Sequence, residues 1–257
     1  GKAPDFGAAR LAKHIRSVSQ GGSRPCWILK LDISGYFMSI VRARLYGTIA
    51  RTVRRKRLDR RPEWPTVDGL LRKVIFDDPT RGCRIKGRRS DWKGVPKDKS
   101  LFHAAPGRGL PIGNLTSQLF SNIYLNELDQ YCKRTLKCRH YGRYVDDFYI
   151  VGPSREDLAA LIDPIRTFLL DELGLTLHPA KIWLHRAEEG VTFLGRTLKD
   201  DKVRPSQKTL RKARNRLADT YAYEEDPFKT MAVEASYKNL KQKKMTETCP
   251  TEPHPSQ

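Results

Sequence analysis

The stretch RYVDDFYIVG, from Arg143 to Gly152, places two adjacent carboxylates between two runs of strand-forming residues. The aromatic and β-branched residues on both sides favour β-strands. An Asp–Asp pair suits a turn better than a strand centre, so Asp146 and Asp147 are predicted at the tip of a hairpin. Neighbouring carboxylates repel each other unless a cation lies between them, and Mg²⁺ is the expected cation because it prefers oxygen ligands. The alternative is an ordinary solvated turn.

A third acid occurs in the run WILKLDISGYF, from Trp27 to Phe37. Its alternation of apolar and polar residues predicts a strand, and Asp32 lies near the end of that strand. An acid at such a position costs several kcal/mol unless it is paired or metal-bound. A sheet that carries Asp32 beside the Asp146–Asp147 hairpin would place three carboxylates around two metal ions. Two such ions can activate a 3′-hydroxyl and stabilise a leaving pyrophosphate.

The composition predicts a polyanionic partner. The 257 residues include 49 Lys and Arg against 29 Asp and Glu, which gives a net charge of +20. Nucleic acid fits this charge better than a membrane, since no 18-residue apolar run exists. Five scattered cysteines form neither a disulfide framework nor a zinc motif, which favours a reducing cytosol. The first ten residues lack the apolar segment of a signal peptide.

Two further segments suggest contacts with nucleic acid. The cluster RTVRRKRLDRR is dense in positive charge, which favours a phosphate-facing surface over a merely solvated helix face. Its predicted nucleic-acid-binding residues are Arg51, Arg54, Arg55, Lys56 and Arg57. The segment GRGLPIGNLTSQ, from Gly107 to Gln118, reads as a glycine-rich loop opening a helix, whose free amides could meet phosphate or base edges.

In this order the motifs resemble those of reverse transcriptases, and the resemblance runs through most of the chain. LDISGYF and YVDD resemble the two metal-binding motifs of that family, and FLG resembles its primer grip. The resemblance implies catalytic roles for Asp32, Asp146, Asp147 and Lys181, with Lys181 able to donate a proton to pyrophosphate. It implies metal ligation by Asp32, Ile33, Asp146 and Asp147, substrate contacts from Tyr36 and from Phe37 as a gate against the ribose 2′-hydroxyl, and a primer grip at Phe193, Leu194 and Gly195.

A narrower resemblance lies in PIGNLTSQ, where Ile112, Gly113, Ser117 and Gln118 match the pattern of diversity-generating retroelement reverse transcriptases. Most reverse transcriptases have Gln where this chain has Ile112. The resemblance implies substrate-binding roles for these four residues, frequent errors at template adenines, and a small accessory protein. Because Ile112 cannot hydrogen-bond, its presence could weaken discrimination by roughly 1–3 kcal/mol.

The predicted fold is therefore α+β, a right-hand polymerase palm with an antiparallel sheet, helices on one face, partial fingers and a helical thumb. The predicted parts are the end of the fingers (1–26), the palm with its first motif (27–41), a basic insertion between fingers and palm (42–106), the remaining palm (107–198), the thumb (199–240) and a disordered tail (241–257). Within the insertion, loops and short strands are expected from Asp77 on. The expected function is RNA-directed DNA polymerisation with two Mg²⁺ ions, for which Mn²⁺ can substitute. The expected partners are an RNA template, a DNA or cDNA primer, deoxynucleotides and the accessory protein, without a membrane. The expected location is the cytoplasm, for a protein encoded by a bacterium or a phage. The alternatives are a retron-type or phage-defence reverse transcriptase, or a non-catalytic RNA-binding fragment.

Overall fold

The structure is a computed structural model that describes residues 4–84, 88, 90, 94–199, 202–223 and 227–246. The helices are α1 (Pro4–Ser19), α2 (Tyr36–Ser39), α3 (Arg42–Arg55), α4 (Trp64–Phe76), α5 (Leu115–Gln130), α6 (Arg155–Ala160), α7 (Ile162–Leu173), α8 (Gln207–Tyr223) and α9 (Pro227–Thr246). The strands are β1 (Trp27–Leu31), β2 (Tyr141–Tyr144), β3 (Asp147–Gly152), β4 (Trp183–Arg186), β5 (Val191–Phe193), β6 (Arg196–Lys199) and β7 (Lys202–Pro205).

The strands form two sheets. One has four strands in the order β2-β3-β1-β4, and the other has three in the order β5-β6-β7. In the smaller sheet, β6 pairs antiparallel with both β5 and β7. Thr197 of β6 lies opposite Thr192 of β5 and opposite Arg204 of β7. In the larger sheet, β2 and β3 are joined by only two residues, so they form the predicted hairpin. The predicted α+β class is confirmed.

The chain divides into two compact units. The first comprises the described residues within Gly1–Leu29, Tyr149–Ala159 and Trp183–Gln257, and the second comprises those within Lys30–Phe148 and Ala160–Ile182. Each has its own apolar core: Leu11, Ile28, Tyr149 and Phe193 are fully buried in the first. Leu31, Leu45, Tyr124, Phe148 and Leu169 are fully buried in the second. The boundaries predicted between fingers, palm and thumb stay a prediction.

Apolar residues at helical spacing predict one helix from Leu115 to Leu136 and another from Leu158 to Leu173 with a kink at Pro164, and the structure interrupts both. The helix that opens at Leu115 ends at Gln130 and continues as a π-helical turn over Tyr131–Thr135. The apolar face that follows Ser154 belongs to two helices, α6 and α7, which meet at Leu161. Pro164 lies in the first turn of α7, where a missing amide costs little, so it does not kink a longer helix.

The residues VTFLGRTL, from Val191 to Leu198, predict one strand with a bend at Gly195, but in the structure they form a hairpin. Strands β5 and β6 are joined by Leu194 and Gly195, whose φ angles are 51° and 76°. Positive φ at both central residues is the signature of a type I′ turn, whose twist matches that of antiparallel strands. The glycine was readable as a bend, but leucine rarely adopts this conformation and therefore concealed the turn.

The basic insertion and the tail also differ from expectation. Residues 42–76 form α3 and α4, and the described residues within 77–106 contain turns and two short 3₁₀ helices but no strand. The tail was expected to be disordered from 241, whereas α9 continues to Thr246. The structure therefore gives 241–246 a helical backbone at the end of α9, the helix that contacts α8. The rest of the tail, 247–257, lies outside the described residues.

Candidate active site

Asp32 directly follows β1 and is held by backbone pairing with a distant segment. The amide of Ser34 donates to the Thr176 carbonyl at 2.9 Å, and the amide of His178 donates to the Asp32 carbonyl at 2.9 Å. A 3₁₀ turn over Pro179–Lys181 then brings Lys181 back to the carboxylate. The Lys181 Nζ lies 2.7 Å from the Asp32 Oδ2. The predicted catalytic lysine and the first predicted acid are therefore in direct contact.

The hairpin presents the other two acids at its tip. Asp146 lies in the turn, and Asp147 is the first residue of β3. Val145, which precedes them, has a φ of 56°, an unusual and strained conformation for a β-branched residue. Such strain persists only where the surroundings enforce it, and it is common at functional sites.

Arg143 helps to hold Val145 in this strained conformation, and this role was not predicted from the sequence. Its Nη1 donates to the Val145 carbonyl at 2.8 Å. Its Nε and Nη2 donate to the two carboxylate oxygens of Asp129 at 2.8 and 2.7 Å. The Tyr141 hydroxyl donates to the same carboxylate at 2.7 Å. An arginine inside an aromatic strand was the available signal, since a charge there needs a partner.

The electrostatics of the site centre on Asp146. Its pKa is raised by burial first, and then by the carboxylates of Asp32 and Asp147, while Lys181 opposes the shift. The pKa of Lys181 is raised by its hydrogen bond to Asp32 and by the other two carboxylates. The Lys30 Nζ lies 3.4 Å from the Asp147 Oδ1. Asp32 and Asp147 thus each pair with a lysine, and Asp146, whose pKa is raised, is the least favourably placed as an anion.

The predicted ligand set is close enough to interact electrostatically but is not assembled around a common point. Among the described residues, no group of three His, Cys, Asp or Glu side chains is arranged to hold a metal ion. The physical reason is that Asp32 and Asp147 turn to the lysines, which neutralise them. The donor chemistry still fits Mg²⁺, because the set offers only carboxylate oxygens and Asp146 lacks a cation of its own among the contacts described above. The side chain of Ile33 is buried, so only its backbone could serve a metal.

The two aromatic residues after Asp32 have different positions. Tyr36 is buried, with 3% of its surface exposed, and its hydroxyl donates to the Ser121 carbonyl at 2.5 Å. The Tyr36 hydroxyl thus holds α5 in place, and the predicted substrate contact by this residue stays a prediction. Phe37 is partly exposed and packs edge-on against the Tyr36 ring. Its role as a gate stays a prediction.

The glycine-rich loop presents some of its predicted residues and hides one. Ile112 is 60% exposed, and Gly113 beside it has a φ of 101° with open space around it. Gln118 is also exposed, whereas Ser117 is buried at the start of α5. Ser117 lines a cavity of about 270 Å³ together with Arg42 and Lys73, and its predicted contact with substrate stays a prediction.

The predicted primer grip belongs to the first unit. Phe193 is buried edge-on against Tyr149 at 5.1 Å between ring centroids. The Gly195 carbonyl accepts hydrogen bonds from the Ser206 amide at 2.8 Å and the Thr209 hydroxyl at 2.9 Å. These bonds tie the β5–β6 turn to the start of α8. Its role in holding a primer stays a prediction.

The first unit also carries a basic groove along α8. The groove has a volume of about 590 Å³ and is lined by Lys208, Arg211 and Arg214 of α8 and by Tyr237 of α9. The three basic residues lie on one face because they are spaced by three. Positive side chains beside an aromatic ring suit a nucleic-acid backbone with nearby bases.

The basic cluster between Arg51 and Arg57 is confirmed as exposed. Arg51, Arg54 and Arg55 lie on α3, and Lys56 and Arg57 follow the helix. Their exposure is compatible with phosphate contacts, and these contacts stay a prediction.

Comparison with known proteins identifies related chains. Residues 4–198 match the family described as reverse transcriptase (RNA-dependent DNA polymerase). The chain is 28% identical over 210 residues to Protein YkfC of Escherichia coli strain K12. The aligned region covers 69% of this chain and 48% of that protein.

Solved structures with the same fold include two of apo telomerase from Candida tropicalis. The match to one of them covers 96% of this chain and 48% of the telomerase chain, with a TM-score of 0.58 at 13% sequence identity. The other lacks its C-terminal domain, and the match covers 80% of this chain and 40% of the telomerase chain, with a TM-score of 0.57 at 14% sequence identity. The likeness confirms the predicted polymerase fold. The chain spans about half the length of these relatives.

Proposed function

This chain belongs to the reverse transcriptase family, as its motifs predicted, and on that premise we propose that it copies RNA into DNA. The observation that carries the proposal is the cluster of Asp32, Asp146 and Asp147 with Lys181 bound to the first acid. A protein that only binds RNA gains nothing from three interacting acids on a chain of net charge +20.

The proposed reaction joins a deoxynucleotide to a primer. A bond forms between the primer 3′-oxygen and the α-phosphorus, while the bond from that phosphorus to the pyrophosphate oxygen breaks. The electron pair leaves with pyrophosphate, and the hydroxyl proton passes to water. Lys181 carries a proton near neutral pH, as lysines ordinarily do, and its position beside Asp32 makes it the proposed proton donor to the leaving group.

Magnesium is the proposed cofactor, with Mn²⁺ as a substitute. Asp32, Asp146 and Asp147, with the backbone of Ile33, are the residues that would hold it. When bound, the metal neutralises charge on the phosphates and activates the 3′-hydroxyl. The raised pKa of Asp146 supports this assignment, because a carboxylate in that environment gains from a neighbouring cation.

Primer extension on an RNA template tests the proposal. We expect Asp146→Asn to reduce extension at least about a thousandfold, as removal of a central electrostatic group does in other enzymes. The matched control is Asp163→Asn, which makes the same change in an exposed pair with Arg166 that contributes little. Full extension by Asp146→Asn, or an equal loss in both variants, would contradict the proposal.

We further propose that the enzyme is of the diversity-generating retroelement type and miscopies template adenines. The support is the pattern Ile112-Gly113 followed by Ser117-Gln118, together with the exposure of Ile112. An exposed isoleucine offers the incoming nucleotide no hydrogen bond. A retron-type or phage-defence enzyme is the alternative, and accurate copying would favour it.

Sequencing of extension products tests the mutagenic assignment. We expect Ile112→Gln to lower the error frequency opposite adenine by roughly five- to 150-fold, the equivalent of about 1–3 kcal/mol. Leu115→Gln is the matched control, because Leu115 is 81% exposed nearby and the same amide is introduced. An unchanged error spectrum in Ile112→Gln would remove this support.

The proposed partners are an RNA template, a DNA or cDNA primer and an accessory protein of the retroelement. We propose the cytoplasm as the location, for a protein encoded by a bacterium or a phage. The support is that Cys26, Cys83, Cys132 and Cys138 are free thiols. No helix in the described ranges is long and apolar enough to cross a membrane.

A further inference from the structure

A polar groove lies in the second unit between α3 and the end of α5. It has a volume of about 410 Å³ and is lined by Arg51 and Arg55 of α3 and by Arg134 of the π-helical turn. Glu127 is the acid in its lining, so the groove carries three positive charges and one negative charge. None of the three carboxylates of the candidate active site, nor Lys181, lines it.

The sequence pattern alone could not define this groove. Five of the seven residues from Arg51 to Arg57 are cationic, and among these five only Arg51 and Arg55 line the groove in the structure. Arg134 comes from a segment 79 residues further along the chain than Arg55 and joins them because α3 packs against α5. The convergence of distant arginines distinguishes the groove from a solvated basic helix face.

The groove is partly preorganised by its own hydrogen bonds. The Arg51 Nη2 donates to the Thr48 hydroxyl at 3.0 Å, and the Gln130 side-chain amide donates to the Asn126 oxygen at 3.2 Å. Thr48, Asn126 and Gln130 also line the groove. A guanidinium held in advance loses less side-chain entropy when it binds an anion.

From this geometry we propose that the groove is a second RNA-binding site, which holds the sugar–phosphate backbone of an RNA segment away from the residues that perform the copying. Arginine forks pair with phosphate oxygens in a two-pronged geometry. Arg51 and Arg55 are one helical turn apart, which separates them by about 6 Å along the axis. Two successive phosphates of one strand can therefore be contacted from one face of α3, with Arg134 opposite.

The polar residues of the groove favour RNA over other polyanions. Hydroxyl and amide side chains can exchange hydrogen bonds with ribose 2′-hydroxyls, which an acidic peptide or a lipid surface lacks. The groove is also concave, whereas a membrane would need a broad convex or flat basic face. The inference rests on the proposed function only in the choice of RNA as the polyanion.

Equilibrium binding to a labelled RNA hairpin tests the inference, with the full chain, in EDTA and without nucleotides. The variant is Arg51→Gln/Arg55→Gln/Arg134→Gln. We expect the slope of log affinity against log salt to become shallower by about 2, since each lost phosphate contact removes roughly 0.7–0.9. At about 150 mM salt, affinity should fall at least tenfold.

The matched control is Arg139→Gln/Arg155→Gln/Arg166→Gln, which removes the same charge from exposed arginines outside both the groove and the basic cluster. It should change the slope by less than about 0.5. A second arm, Arg51→Lys/Arg55→Lys/Arg134→Lys, keeps the charge and should keep the wild-type slope. Equal losses in the groove and control variants, equal losses in the glutamine and lysine variants, or no loss at all would overturn the inference.

Anionic vesicles and an acidic peptide serve as competing probes in the same assay. If the glutamine variant lost binding to either of them while keeping its affinity for RNA, the groove would be assigned to that class instead and the inference would be overturned. Because no catalysis is measured, failure of primer extension leaves this result unaffected.

Discussion

Ionised Asp146 is unfavourable in the folded chain, because burial and two neighbouring carboxylates raise its pKa. The folded chain therefore keeps a proton on Asp146 at a higher pH than the unfolded chain does. It follows that the free energy of unfolding decreases as pH rises above the ordinary carboxyl pKa. We expect Asp146→Asn to raise the melting temperature at pH 7, and this gain to disappear at pH 3, where both forms are neutral.

Thermal unfolding of both proteins across this pH range checks the prediction, with Asp163→Asn as the control for a change at an exposed acid. In metal-free buffer the control should leave the melting temperature nearly unchanged at every pH. Added Mg²⁺ should stabilise the wild type more than Asp146→Asn, because only the former retains all three carboxylates. A variant that is less stable than the wild type at pH 7 would show that Asp146 is not electrostatically strained.

At the residue scale the sequence identified the acids and Lys181 but not what positions them. Two aspartates between strand-forming runs are visible in a linear pattern, and so is an acid at a strand end. The pairing of Arg143 with Asp129 and of Lys30 with Asp147 depends on how separate elements meet. The burial of Tyr36 was not predicted for the same reason, since it is a property of the packed core.

In the β5–β6 turn, the backbone conformation at Gly195 is tightly constrained. Gly195 has a φ of 76°, and a Cβ atom placed on it would lie 2.8 Å from the Thr209 hydroxyl. The same hydroxyl donates to the Gly195 carbonyl and ties the turn to α8. We expect Gly195→Ala to destabilise the chain by about 2–3 kcal/mol, of which about 1–2 arise from the left-handed backbone alone.

Urea unfolding measures the effect, and Gly22→Ala separates its two causes. Gly22 has a φ of 96°, and a methyl group added there would have nothing within 4 Å, so its substitution adds backbone strain without a clash. It should cost only about 1–2 kcal/mol. If both variants lost equal stability, the contact with Thr209 would contribute nothing.

At the element scale, periodicity predicted the helices and most strands, and it failed at their ends. It could not place the break between α6 and α7 at Leu161 or the π-helical turn after Gln130, because the apolar face continues through both. It also missed the hairpin at Leu194, where a leucine occupies a conformation that glycine or asparagine usually signals. The polar composition of 241–246 masked the end of α9.

For the whole molecule, charge is the property that sequence alone predicts best, although its distribution needs the fold. The excess of 20 positive charges predicts binding to a polyanion without saying where. In the structure, part of this positive charge lines two separate grooves. One is lined by Arg51, Arg55 and Arg134, and the other by the basic face of α8. Under the proposed function the α8 groove is the one expected to hold the primer–template duplex.

Substitution of that face should therefore weaken duplex binding more than the loss of charge alone does. We expect Lys208→Gln/Arg211→Gln/Arg214→Gln to lower affinity for an RNA–DNA duplex at least tenfold near 150 mM salt and to reduce the salt slope by about 2–3, one phosphate contact per residue. Arg139→Gln/Arg155→Gln/Arg166→Gln removes equal charge from exposed positions elsewhere and should reduce the slope by less than about 1. Fluorescence anisotropy across a salt series distinguishes the α8 variant from the control. Long-range attraction weakens equally in both variants because they lose the same charge, whereas direct phosphate contacts are lost only where the duplex is bound. Matching slopes would mean that the duplex is attracted by the molecule as a whole and that α8 is not its binding face.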